Sequence, residues 1–127
     1  MDNHTNDHRK RHSNNSKSSI IERITKEIET PKGCSLVELR HSCKSDALFY
    51  SKCLIYATAT NKALCTAIGI PVADGRKYSK ALFANKAIWN VELVYCPFAD
   101  RKEWTLTTLP GRAFTNNAGT SLTQSSQ

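Results

Sequence analysis

Apolar residues are almost absent from the first nineteen positions and from the last dozen; between these ends they recur first with helical and then with strand spacing. Residues 1–18 are polar and charged without periodicity, which predicts a disordered, His-rich basic tail. From Ser19 the pattern turns helical. Ser19 and Glu22 have capping-box spacing, Ile20, Ile21, Ile24 and Ile28 fall on one face, and Pro31-Lys32-Gly33 predicts an end near Thr30. A linker then leads to Ser45, which caps a helix from Asp46 to about Thr58 with Ala47, Leu48, Cys53, Leu54 and Ile55 at its apolar positions. Thr60 caps a shorter helix, Asn61 to Ile68. Gly69 can take the left-handed conformation that stops a helix, and Pro71 cannot continue one.

A third helix is predicted from about Ala73 to Asn85. Beyond it, Trp89 to Tyr95 has mostly the alternation of a half-buried strand, residues 97–100 break it, and Trp104 to Thr108 return as a second strand. Pro110-Gly111 closes the folded part, and residues 111–127 predict a second disordered tail of Ser, Thr, Asn and Gln. The fold class expected is α+β and mainly helical. Its units are a tail over 1–18, an amphipathic helix and linker over 19–44, a helix-and-hairpin domain over 45–110 and a polar tail over 111–127.

Composition narrows the picture in three ways. The segment able to bury a core is roughly 80 to 90 residues, enough for one small domain of modest stability. No apolar run approaches the ~18 residues that span a bilayer, and the N-terminus lacks the apolar stretch of a secretory signal, so a cytoplasmic protein is expected. The five cysteines, Cys34, Cys43, Cys53, Cys65 and Cys96, contain no CxxC pair and predict buried free thiols rather than a zinc ribbon or redox site. The spacing of His4, His8 and His12 would form a stripe on a helix, but their neighbours are those of a solvated tail.

The net charge is +7, and residues 33–110 alone hold ten basic against six acidic groups. A basic domain of this size favours polyanionic partners. At 100° per residue, Tyr78 and Leu82 lie on one side of the third helix with Gly75 and Ala81 beside them. Arg76, Lys77 and Lys80 spread over the opposite side within about 100°. Such a helix buries one face and offers cations to phosphates or base edges. The Ile20–Ile24–Ile28 stripe needs cover from its own domain or from a second copy, which makes a homodimer through this helix one of two options.

Leu64 and Cys65, followed by Ile68-Gly69-Ile70 and Tyr78, resemble the spacing of the winged helix-turn-helix family over roughly Ser45 to Thr108. Gly75 departs from it, standing where the pattern carries a larger apolar residue. The resemblance implies a three-helix domain with a β-hairpin wing, binding double-stranded DNA in a sequence-specific way as a small transcriptional regulator or an accessory factor of a mobile element. By the same resemblance Arg76, Lys77 and Lys80 of the 73–85 helix enter the major groove, with Ser79 as a polar contact. Arg101 and Lys102 lie at the tip of a 97–103 wing, and Asn61 and Lys62 meet phosphate at a helix start. Trp89 and Trp104 are expected to hold the wing to the core.

The competing expectation is a winged-helix protein–protein interaction module that binds no DNA, for which exposed aromatics such as Phe83 and Phe98 would serve. An enzyme is not expected. His41 is the only histidine outside the tail, no Walker or GxGxxG loop occurs, and no cofactor or metal site is predicted.

Overall fold

The computed structural model describes residues 2–114, with side chains from Lys17 onward. It is α+β and mainly helical: α1 (Asp2–Lys32), α2 (Leu36–Ser42), α3 (Asp46–Tyr56), α4 (Asn61–Ile68) and α5 (Val72–Ala84) precede an antiparallel hairpin of β1 (Trp89–Cys96) and β2 (Arg101–Thr107). A short 3-10 turn, Pro110–Arg112, follows. No described helix is long and apolar enough to cross a membrane.

The caps explain most of the boundaries. Ser45 and Thr60 accept from Leu48 N–H and Ala63 N–H at the starts of α3 and α4. Gly69, at φ 75°, ends α4 in the left-handed region. The first helix differs from expectation at both ends. It runs back through the polar segment to Asp2, without a break at Ser19, and ends past Pro31, where Gly33 (φ +70°) donates to the Glu29 carbonyl at 2.8 Å. The expected linker contains α2, whose seven residues are too few to show a period. Its start is nonetheless written in the chain: Ser35 and Glu38 form a complete capping box, and Glu29 also accepts from Leu36 N–H at 2.8 Å.

The core joins α1, α3 and α4 with the base of the hairpin. Ile24 and Ile28 are 0% and 1% exposed within the single chain, in one cluster with Phe49, Tyr50, Leu54 and Leu64. The dimer option for the Ile20, Ile24 and Ile28 stripe is therefore corrected: α1 packs on α4 and more lightly on α2 and α3, and Ile20 is half-buried against the same cluster. On α3 the inward face is Phe49, Tyr50, Cys53 and Leu54; Cys53 and Leu54 were expected there, whereas Phe49 and Tyr50 take the places expected for Ala47 and Leu48, which stay exposed, and Ile55 is only half-buried.

The hairpin is tied to the helices by its second strand. Ala59, between α3 and α4, bridges Leu106, whose N–H donates to the Ala59 carbonyl at 2.8 Å. Buried Thr107 donates its hydroxyl to the Leu54 carbonyl at 3.0 Å and accepts from Leu109 N–H. The Thr107 bond satisfies the Leu54 carbonyl, one of those at the end of α3 that the helix itself leaves open.

Replacing Ile24 with Ala should lower unfolding free energy by about 2–5 kcal/mol, since a fully buried side chain leaves a cavity. Chemical denaturation of the variant checks this. A variant as stable as the parent would contradict the packing of α1 on its own domain.

Candidate nucleic-acid interface

The turn between α4 and α5 is three residues, Gly69-Ile70-Pro71, and four backbone hydrogen bonds and one buried side chain fix it. Gly69 N–H and Ile70 N–H both donate to the Cys65 carbonyl, at 2.9 and 3.0 Å. Ile70 is buried, and Pro71 accepts from Asp74 and Gly75 N–H to open α5. Outside the turn, Arg40 of α2 holds Asp46 of α3 with two hydrogen bonds, at 3.0 and 2.9 Å. It also reaches the Gly69 carbonyl at 3.4 Å, and its guanidinium lies 5.6 Å from the Phe49 ring centre. One residue from the unpredicted helix thus braces the turn.

Gly75 decides how closely α5 lies on α4. A Cβ at this position would stand 2.3 Å from Cys65 Sγ, 2.6 Å from Asn61 Oδ1 and 3.2 Å from Tyr50 Cε2. The departure from the helix-turn-helix pattern is therefore a packing requirement: a larger residue would push the two helices apart. Asn61 stitches the same contact. Its Oδ1 accepts from the Tyr50 hydroxyl at 2.8 Å and from Cys65 Sγ at 3.6 Å, and its amide nitrogen donates to the Val72 carbonyl at 3.4 Å. The Tyr50 and Tyr78 rings meet edge to face at 5.7 Å.

With that side locked, the opposite side of α5 turns outward. Arg76, Lys77 and Lys80 are exposed, as are Ala73 and Ala84, and none of the three cations is in a salt bridge among the described residues. Ser79 is half-buried and its hydroxyl donates to the Arg76 carbonyl at 3.1 Å, so its donor is already engaged. Lys62 is half-buried at the start of α4.

The hairpin departs from its expected form. Ala99 and Asp100 N–H both return to the Cys96 carbonyl, and Asp100 sits at φ 56°, so the tip is confined to residues 97–100. Arg101 and Lys102 are accordingly the first residues of β2, paired with Cys96 and Tyr95, and not the tip itself. Arg101 is bound to Glu103, with contacts of 2.8 and 2.9 Å, whereas Lys102 is in no salt bridge among the described residues. Trp89 and Trp104 do not face one another. Trp89 pairs with Thr107, and Trp104 pairs with Leu93 on the outer face, meeting Phe114 at 5.5 Å. Trp104 therefore does not anchor the hairpin; Thr105, Leu106 and Thr107 of β2 and Cys96 of β1 are its buried residues.

Burial sets the ionisation of three groups in the helical core. It is the main cause that pushes the Cys65 thiol up to about 11, with the Asp74 charge adding to it, and it raises Cys53 to about 12 and Tyr50 further. All five cysteines are free thiols.

No protein-family model, curated protein or solved structure matches this chain.

Two consequences can be measured. Gly75→Ala should cost about 1–3 kcal/mol despite the better helix propensity of alanine, and the loss should shrink in a Cys65→Ala background, where the closest overlap is gone. Equal losses in both backgrounds would refute the overlap. Cys65 and Cys53 hold their protons more tightly folded than unfolded, so the stability they contribute is complete below their ordinary value of 9.0. It is lost as pH rises toward 11 and 12. The melting temperature should fall across that window, and less steeply when both are alanine.

Proposed function

We propose that residues 45–110 form a winged helix-turn-helix that binds double-stranded DNA, with α5 lying in the major groove. The observation that carries this reading is the division of α5. Gly75 and Tyr78 fasten one side to α4 and α3, and the other presents Arg76, Lys77 and Lys80 without carboxylate partners among the described residues. Cations left unpaired on a rigid helix are available to phosphates and guanine edges without first breaking an ion pair. The order of elements supports the same reading: three helices, an antiparallel bridge from the α3–α4 connection to β2, and a hairpin after α5.

Within this reading the residues fall into ranks. Arg76 and Lys80, one turn apart, read or grip the groove, and Lys77 reaches a flanking phosphate. Ser79 contributes only as an acceptor. Asn61 acts from inside by orienting α5, while Lys62 and the backbone of the first turn of α4 face phosphate. At the wing, Lys102 is the available cation, since Arg101 is held by Glu103. Regulation of transcription or an accessory role in DNA rearrangement would both employ such a surface. Of the aromatics a protein partner would engage, Phe98 is half-buried against the core, and Phe83 is exposed on the cationic helix itself.

Fluorescence anisotropy with random-sequence duplex at several salt concentrations tests the reading. Affinity should fall with a log–log slope of about −0.9 for each phosphate contacted. Once a preferred site is found, Arg76→Ala should cost about 1–3 kcal/mol there and relax the preference. Absence of binding at low salt would overturn the proposal.

A further inference from the structure

The outer face of the hairpin is apolar and uncovered. Leu93, Tyr95, Trp104 and Phe114 are 49%, 56%, 36% and 54% exposed. The register pairs Leu93 with Trp104 and Tyr95 with Lys102, which puts these four side chains on one face, and Phe114 extends it from Trp104. The other face holds Cys96, Arg101 and Glu103, with Cys96 buried. Contiguous apolar area of this kind on a small chain marks a contact surface.

We propose that this face joins two copies of the chain in a two-fold dimer. The charges around it favour a second copy over a nucleic acid. Residues 89–107 carry Arg101 and Lys102 against Glu92, Asp100 and Glu103, a net of −1 where a polyanion needs the opposite sign. The patch also holds one charge of each sign at its tip end. Lys102 and Asp100 are in no salt bridge among the described residues, and Asp100 accepts only the Tyr95 hydroxyl there. Two copies placed face to face about a two-fold axis can bring Lys102 of each against Asp100 of the other, with the Leu93–Trp104 pairs packed between them. A patch with both signs is self-complementary in the way an isologous contact demands. The dimer does not rest on DNA binding; if both hold, Lys102 is committed to the partner copy rather than to a phosphate, and two copies of α5 alone grip the DNA and favour an inverted-repeat site.

Sedimentation equilibrium on the full chain between about 1 and about 100 μM decides the matter. The expected mass is twice the 14.2 kDa of one chain. Leu93→Glu should raise the dissociation constant at least about tenfold with an unchanged circular dichroism spectrum, because the side chain is half exposed. Lys102→Glu, which leaves every apolar contact in place, should weaken the dimer at low salt and less so at high salt. A parent that stays monomeric at the highest concentration overturns the proposal, as does a folded Leu93→Glu variant that remains dimeric. If Leu93→Glu does not fold, Lys102→Glu stands alone, and a low-salt dimer as tight as the parent's overturns it.

Discussion

The closeness of α4 and α5 at Gly75 is the constraint on which the rest of this molecule depends. Without a Cβ there, Cys65, Asn61 and Tyr50 can crowd against the second helix, and the three-residue turn at Gly69 can stay short. Close approach also makes the polar contacts possible, since Asn61 reaches both the Tyr50 hydroxyl and the Val72 carbonyl. A buried polar group is tolerated only when its partners are present, so the network also specifies which angle the helix takes. The outward direction of Arg76, Lys77 and Lys80 is a consequence of this packing.

Electrostatics separate the two outer surfaces. On α5 the cations stand without carboxylate partners among the described residues, and on the hairpin both signs mix around an apolar centre. Unpaired cations of this kind act at long range and favour polyanions, whereas an exposed apolar face acts only at contact. The second strand of the hairpin is fixed to the helices through Leu106 and Thr107, which are bonded to Ala59 and Leu54.

Local signals carried much of the architecture. Thr60, Gly69 and Pro71 marked the ends of α4 to the residue, because caps and turns act through the backbone of their immediate neighbours. The hairpin and the order of its strands followed from alternation and a breaking turn. Failures occurred where a signal was short or an alternative was equally local. The Ser35–Glu38 capping box was as visible as any other, yet seven residues show no period, and α2 was missed with the bracing Arg40. At Ser19 the same kind of box marked no boundary, since the helix continues through it.

What the amino-acid sequence determined by itself was the succession of elements from α3 to β2, the excess of positive charge and the cationic side of α5, because all three are written in the residues themselves and their near neighbours. Tertiary structure decided the rest. It buried Ile24 and Ile28 within their own domain, turned Asn61 from a surface helix start into an internal clamp, and gave Gly75 its reason. Register placed Trp104 outward opposite Leu93. These are facts about which distant side chains meet. An apolar stripe or a tryptophan in a sequence states only that contact is favourable, and the partner is chosen by packing.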